Sequence, residues 1–456
     1  MKTVKDKAKM KNIHFIGVGG VSMSALAEHA LRSGNIVSGS DILSSERVDR
    51  LSNLGCNIQL NHNSENVVNA EQVVYTAATD SDNPELKKAK ELNLEIFSRG
   101  QYLGKIMGDC KNSVAVSGCH GKTTTTAMIA NILIKAKKSP TVFLGGDDYV
   151  FGNYLHGDSE YVVAEACEYN RSFLDLKPKI AVCTNIDNDH LDTYGDINGV
   201  IKAFKEFVSC GIAVINADDP NCKRIQTCAT VTFGIDKPAN YYATSLIEKD
   251  GCYSFTLNAH AKRYGRVKLN VAGKHNVYNA LAAFAVCDML GVYFGEIKKS
   301  LENFKGVKRR NEYIGEYNGV NFYADYAHHP KELEYSFETF DKKLSEYITV
   351  FQPHTYSRTE YLMNDFINIL SKRKILIIFK TYPAREKYNE KGCAKTLVDN
   401  LKEIKKEKIY YAETVEDLLN IIEINNKTTK NAAIFGAGDL YDQIKSLIVQ
   451  KSKIII

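Results

Sequence analysis

The chain has no C-x-x-C pair, no long apolar run, no marked surplus of one charge and no internal repeat, and each absence removes a class of protein. Its 11 cysteines, an odd number, are scattered from Cys56 to Cys393. Without paired spacing they suggest neither a disulfide framework nor a zinc site, so a reducing cytosol is the expected compartment. The apolar stretch at 13–31 follows the basic residues 1–11 and superficially imitates a secretion signal. It contains Gly17, Gly19, Gly20, Ser22, Ser24, Glu28 and His29, which makes it too polar for one. No stretch is long and apolar enough to span a bilayer, so no membrane partner is expected. The 59 basic and 54 acidic residues leave a net charge of +5. That is too thin a surplus to argue for a nucleic-acid partner, and no barrier to an anionic small molecule.

What is present is the composition of a folded protein: 44% hydrophobic and 25% charged over 456 residues, enough for about three domains. A short β-branched run, a polar or glycine-rich turn and a helical segment recur. The runs fall at 13–16, 36–38 and 73–75, then at 114–116, 161–164, 180–183 and 212–215, then at 348–351, 375–379 and 432–435. Such alternation predicts an α/β fold of mostly parallel sheets covered by helices on both faces. Boundaries near Cys110 and within 307–311 divide the chain into 1–110, 111–308 and 309–456. After the second boundary, Asn318-Gly319 predicts a hairpin over 313–322. Polar residues cluster directly after the predicted strands, where doubly wound sheets bind ligands.

The sharpest signal is Gly118-Cys119-His120-Gly121-Lys122-Thr123-Thr124, between a buried strand and a helix. Glycines let backbone N–H groups turn toward phosphate oxygens, and the helix start adds positive potential. Lys122 would neutralise β/γ-phosphate charge, and the Thr123 hydroxyl would ligate Mg²⁺. The loop is a shortened G-x-x-G-K-T, since Val116 stands where the general phosphate loop has its first glycine. Downstream, the next strand ends in Glu165 and Glu168, and another runs into Asn185-Ile-Asp-Asn-Asp189-His190-Leu-Asp192. Carboxylate and imidazole on neighbouring strand ends could converge beside Lys122 around Mg²⁺. Near the N-terminus, Gly17-Val-Gly19-Gly20-Val-Ser22 opens a helix, and Ser40-Asp41 ends the next strand. A dinucleotide site is the alternative reading there, but the third glycine of its fingerprint is Ser22.

The loop resembles the G-T-x-G-K-T-T loop of the Mur ligases, ATP-dependent amide-forming enzymes of peptidoglycan assembly, with Cys119 where Thr is usual. The likeness extends through the chain in family order. It takes in the Gly17–Ser22 turn, Glu165, Asn185–Asp192, His275-Asn276-Val-Tyr-Asn279 and Arg310. In the last third it takes in Asp325-Tyr326-Ala-His328-His329-Pro330, Phe351-Gln-Pro-His354, Tyr382-Pro-Ala-Arg385-Glu386 and Gly436-Ala-Gly438-Asp439. Cys167, Asn170, Asn311 and Thr355 depart from residues common in the family.

The resemblance implies a Rossmann-like N-terminal UDP-binding domain, a central P-loop-type ATPase domain and a Rossmann-like C-terminal domain that takes the amino acid. It implies a cytoplasmic enzyme that uses ATP and Mg²⁺ to join L-alanine to UDP-N-acetylmuramate through an acyl phosphate. UDP-sugar binding would fall to Gly17, Gly19, Gly20, Ser22, Ser40 and Asp41. ATP binding would fall to Gly118 through Thr124 with Asn276, Asn279, Arg310 and Asp325, and Mg²⁺ to Thr123, Glu165 and His190. Lys122, Glu165, His190, Arg310, His328 and Arg358 would be the catalytic set, with His328 and Arg358 holding the amino acid. Relatives acting later in the pathway carry a carbamylated lysine where this chain has Phe204, as in the L-alanine-adding branch. The alternatives left open are a relative using another amino acid or a recycled peptide, a folate- or cyanophycin-type ligase, a nicotinamide oxidoreductase and a silent nucleotide-binding regulator.

Overall fold

The computed structural model describes residues 10–188, 191–384, 386–405 and 408–454. His190 and Arg385 lie outside them. Three sheets follow one another along the chain. The first is built from β1 (Asn12–Ile16), β2 (Ile36–Ser40), β3 (Asn57–Gln59), β4 (Gln72–Tyr75) and β5 (Glu95–Ser98), in the order β3-β2-β1-β4-β5. Every pairing in it is parallel. Chain order reverses between β1 and β4, so a crevice opens beyond their carboxyl ends.

The second sheet contains β6 (Asn112–Ser117), β7 (Thr141–Asp148), β8 (Gly152–Leu155), β9 (Tyr161–Glu165), β10 (Ile180–Cys183), β11 (Ile212–Asn216) and β12 (Thr230–Gly234). Three longer strands extend it: β13 (Tyr241–Lys249), β14 (Cys252–Ala259) and β15 (Lys262–Ala272). Their order is β15-β14-β13-β12-β11-β10-β6-β9-β7-β8. Strand β6 lies between β9 and β10, parallel to both. That adjacency brings the turns after these three strands to one end of the sheet. The strands are continuous apolar runs, as sheets covered on both faces require: Val114, Val116, Val163, Ala181 and Val182 are all buried.

The third sheet comprises β16 (Glu312–Tyr317), β17 (Val320–Asp325), β18 (Ile348–Phe351), β19 (Leu376–Phe379), β20 (Ile409–Ala412) and β21 (Asn431–Phe435), in the order β16-β17-β21-β18-β19-β20. Only β16 pairs antiparallel, through the predicted hairpin, where Asn318 (φ 52°) and Gly319 (φ 75°) both take the left-handed turn conformation. Period-two alternation separates its cores. Leu376 and Ile378 pack with Phe340, Phe351 and Phe435 on one face, while Ile377 and Phe379 pack with Val350, Phe322 and Ile434 on the other.

The architecture is thus three-domain α/β with mostly parallel sheets. By contacts the chain forms two compact units. The first two sheets share one; the third forms the other, together with the short segments 248–253 and 271–273. Within the first unit a single apolar cluster runs from Phe15, Leu26 and Val74 through Tyr102 and Phe143 to Phe204 and Ile215. Among the described residues no helix is long and apolar enough to cross a membrane.

Candidate active site

The turn after β6 is shaped by two glycines whose backbone angles and close neighbours disfavour any side chain. Gly118 has φ 134°, and a side chain there would collide with the Thr184 hydroxyl; Gly121 has φ 81° and faces Asn279 Oδ1. Gly121 caps the helix Lys122–Lys135, whose buried Ala127, Met128, Ile129, Ile132 and Leu133 anchor it to the sheet. The end of β10 braces the turn from the side. Asn185 Oδ1 accepts from the His120 N–H (2.9 Å), and Thr184 Oγ1 and Asn185 Nδ2 donate to the His120 carbonyl (2.6 and 2.9 Å). Cys119 Sγ accepts from the Asp187 N–H at 3.1 Å. Cys119 therefore has a packing role of its own.

Lys122 Nζ donates to the Gly118 carbonyl (2.7 Å), the Cys119 carbonyl (3.2 Å) and Glu168 Oε1 (2.9 Å). Burial works against its charge, but Glu168 together with Cys167, Glu165 and Cys119 outweighs that and raises its pKa, so the ammonium stays protonated. Thr123 Oγ1 donates to Glu165 Oε2 at 2.7 Å, and the Gly145 N–H donates to the same oxygen at 2.9 Å. Thr123 and Glu165 thus form a pair of oxygen donors beside the phosphate-type turn, the chemistry Mg²⁺ prefers. Among the described residues no three His, Cys, Asp or Glu side chains gather as a ready-made metal cage. Such a donor set fits a cation shared with phosphates.

Other predicted residues of this unit are more locked than the sequence suggests. Asn279 Nδ2 donates to Asn276 Oδ1 (3.0 Å), and Asn279 Oδ1 accepts from Thr125 (3.1 Å). Thr124, next to Thr125 in the chain, is half-buried. In the first sheet, Gly17 and Val18 donate to the Ser40 carbonyl, and Asp41 Oδ2 accepts from the Gly19 N–H at 2.8 Å. Asp41 thereby ties the glycine turn to β2. Gly20 caps the helix Val21–Arg32, and Ser22 is half-buried in its first turn. Ser40 is buried and donates to Glu85 Oε2 (2.7 Å), which also accepts from His62 (2.8 Å). Burial works to raise the Glu85 pKa, but hydrogen bonds from His14, Asn66 and Ser40 outweigh it and hold the carboxyl down at about 2.

A second cluster sits in the other unit, at the carboxyl ends of β17 and β18. Asp325 accepts from the N–H groups of Asn311 (2.9 Å) and Ala327 (3.0 Å) and from Ser336 Oγ (2.9 Å). Burial raises its pKa although Arg310 opposes the shift. The Arg310 guanidinium lies over the Tyr326 ring at 5.2 Å. His328 and His354 have ring centroids 5.7 Å apart, and His354 rests on Tyr382 at 5.5 Å. Arg358 Nη1 is 3.3 Å from His354 Nδ1. Burial, then His328 and Arg358, lower the His354 pKa to about 3, so its ring is neutral.

Among the predicted residues, Lys122, Thr123 and Glu165 stand together in the first unit, and His328 and Arg358 stand on either side of His354 in the second. Sequence reasoning left out Glu168 as the partner of Lys122, Thr184 and Asn185 as braces, and His354 between His328 and Arg358. Position alone signalled them: each follows a predicted strand. Phe204 lies in the core against Phe173, with centroids 5.1 Å apart, while Lys202 and Lys205 are exposed.

A glycine–lysine turn of this build, between parallel strands and beside an oxygen pair, defines a nucleotide-dependent enzyme of the doubly wound α/β class. The family is particular. Residues 12–110 match the model described as Mur ligase family, catalytic domain, residues 116–287 the Mur ligase middle domain, and residues 309–438 the Mur ligase, glutamate ligase domain. The chain belongs to the Mur ligase family. It is 40% identical to a UDP-N-acetylmuramate–L-alanine ligase of Caldanaerobacter subterraneus subsp. tengcongensis, over 98% of this chain and 99% of that one. It is 43% identical to the enzyme of the same name from Aquifex aeolicus, over 83% and 86%. The solved UDP-N-acetylmuramate-alanine ligase of Thermotoga maritima superposes with a TM-score of 0.83 at 31% identity, covering 98% of this chain and all of that one. A murein peptide ligase from Psychrobacter arcticus shares the fold, at 23% identity and a TM-score of 0.73.

Proposed function

We infer that this protein joins L-alanine to UDP-N-acetylmuramate with consumption of ATP, in the cytoplasm, as a step of peptidoglycan precursor synthesis. The observation that carries the reading is the likeness to L-alanine ligases along nearly the whole chain. The geometry of the Lys122 turn supplies its chemistry. A carboxylate is inert toward an amine because its oxide leaves poorly. Transfer of the γ-phosphoryl group of ATP to the muramyl carboxylate gives an acyl phosphate, and attack by the amine of L-alanine then expels phosphate.

In this reading Lys122 neutralises phosphate charge and the backbone amides of 118–124 orient the phosphates. Thr123 and Glu165 would hold Mg²⁺ with His190, and the bound ion would supply positive charge against the phosphates. Arg310 supplies a further cation, with Asp325 behind the Asn311 N–H that follows it. The turn at Gly17–Ser22 would take the UDP diphosphate, and Arg358 the carboxylate of L-alanine. The segments would be 1–110 for the UDP-sugar, 111–308 for ATP and 309–456 for the amino acid, a division supported by three domain matches over 12–110, 116–287 and 309–438. Coupled ADP release tests the reading. Purified protein with UDP-N-acetylmuramate should release ADP with L-alanine in preference to other amino acids, and Lys122→Ala should abolish it. Release that depends on a different amino acid or on a peptide would reject it.

A further inference from the structure

The reaction just inferred leaves one proton unassigned. At neutral pH L-alanine arrives as an ammonium ion, which has no lone pair with which to attack an acyl phosphate. Something must take that proton before the C–N bond forms, and the third sheet presents two neighbouring imidazoles whose partners fix opposite roles for them.

His328 Nδ1 lies 2.9 Å from the Tyr326 carbonyl and 3.3 Å from Glu332 Oε2. Carbonyl and carboxylate oxygens accept, so Nδ1 carries the hydrogen and the lone pair of the ring is at Nε2. Glu332 is itself fixed: it lies in the first turn of the helix Pro330–Lys343, and its Oε2 also accepts from the His328 N–H at 3.1 Å. His354 is the reverse case. Arg358 can only donate, so Nδ1 of His354 accepts and its Nε2 carries the hydrogen. One ring of the pair is an acceptor at Nε2 and the other a donor. Because His354 is neutral, a proton gained by His328 does not face a second imidazolium. Other described groups near His328 include the Tyr326 ring at 5.4 Å, with Arg310 over that ring, and Arg358 beyond His354. His329 serves elsewhere, its Nδ1 accepting from the Lys331 N–H.

We propose that His328 is the general base of the amide-forming step, oriented by Glu332, while His354 and Arg358 hold the carboxylate of the amino acid. This rests on the ligase reading above. A proton passes from the ammonium of L-alanine to His328 Nε2, and the freed nitrogen pair attacks the acyl carbon. The C–N bond forms, the C–O bond to phosphate breaks, and phosphate leaves with that electron pair. The nitrogen loses its second proton to solvent, and the His328 proton returns to solvent or to the departing phosphate. The carboxylate of Glu332 stabilises the imidazolium in the interval, a Glu–His arrangement of the kind that raises an imidazole's basicity.

Hydroxylamine separates a role in the amide-forming step from a role in making the acyl phosphate, and KM with the pH slope separates the base from a group that only binds L-alanine. It is largely uncharged at neutral pH and attacks acyl phosphates without a base. The wild-type enzyme with ATP and UDP-N-acetylmuramate should yield both the L-alanine amide and, with hydroxylamine, the hydroxamate. His328→Gln should lose about 10²–10³-fold in kcat for L-alanine with little change in its KM, yet keep hydroxamate formation near the wild-type rate. Its residual ligation should climb about tenfold per pH unit toward the pKa of the amino group, because only free amine then reacts. Glu332→Gln should keep ligation but move the acid limb of kcat down by about one pH unit. Loss of hydroxamate together with amide in His328→Gln, or full retention of amide, would overturn the assignment. Absence of hydroxamate from the wild type would instead refute the ligase reading itself.

Discussion

Lys122 and Glu168 form an ion pair 2.9 Å long with both side chains largely buried. The carboxylate comes from the segment after β9, which turns back on itself through Asn170 (φ 50°) and Arg171 (φ 56°), two consecutive left-handed residues. The Tyr194 hydroxyl, which donates to the Glu168 carbonyl, holds the turn in place. A nucleotide phosphate and Glu168 would therefore compete for one ammonium group.

Glu168→Gln should consequently destabilise the protein without nucleotide. Removing one partner of a buried pair costs about 3–5 kcal/mol, and the loss here should fall at the low end, because the carbonyls of Gly118 and Cys119 remain. MgATP should then raise the melting temperature of the variant by more than it raises that of the wild type, since phosphate replaces the lost counter-charge. Calorimetry with and without nucleotide checks both signs; an equal or smaller rise in the variant would show that the two do not compete.

Gly121→Ala tests the turn itself. At φ 81° an alanine carries a backbone penalty of about 1–2 kcal/mol, and its Cβ would sit about 2.5 Å from Asn279 Oδ1. Asn279 is held by Asn276 and Thr125 and has little room to withdraw. The expected result is at least a tenfold rise in KM for ATP, with KM for L-alanine unchanged. Comparable effects on both substrates would mean that the damage spreads beyond the phosphate turn.

Phe204 bears on regulation by carbon dioxide. Its ring is fully buried against Phe173, in a row that continues to Phe207 with centroids 5.0 Å from Phe173, and the lysines on either side in sequence face solvent. No lysine of the helix Ile197–Val208 is placed to become a carbamate beside the phosphates. Ligation should therefore be indifferent to added or depleted bicarbonate, while Phe204→Ala should cost about 3–5 kcal/mol of stability. Activation by bicarbonate in a steady-state assay would sink this assignment.

How much of this was legible beforehand follows from what sequence patterns can carry. Continuous apolar runs such as Val114–Val116 or Ile348–Phe351 announce buried parallel strands, and the polar turns after them announce a site. The edge strand Asn57–Gln59 carries a single apolar residue, and the extension β13–β15 is long and half-solvated; neither shows such a run. Glu165 was legible because it ends a strand directly. Glu168 as the partner of Lys122 was not, because it lies beyond the strand end in a segment that turns through Asn170 and Arg171, and nothing in Arg171 favours the left-handed conformation it takes. The four-residue spacing of His328 and Glu332 could have been noticed, since it puts both at one helix start. That His354 would stand between His328 and Arg358 depends on β18 lying beside β21, and β21 beside β17, which is a fact of topology and not of local sequence.

His354 gives the molecule a pH dependence whose sign can be worked out. Burial, with His328 and Arg358 adding to it, places its folded pKa at about 3, against 6.5 for an unperturbed histidine. Above pH 6.5 the ring is neutral folded or unfolded, and the stability it contributes is intact. As pH falls from 6.5 toward 3, the unfolded chain binds a proton that the folded chain refuses, so stability drains away across that window. At pH 4.5 the loss from this one group should be about 2–3 kcal/mol. His354→Gln should start less stable at pH 7, having lost the ring that meets Arg358 and Tyr382, yet lose correspondingly less on acidification. Urea midpoints at pH 7 and pH 4.5 for both proteins measure the difference. Equal losses in the two would place the acid sensitivity elsewhere, and would leave the neutrality of this ring, on which its role as an Nε2 donor depends, without support.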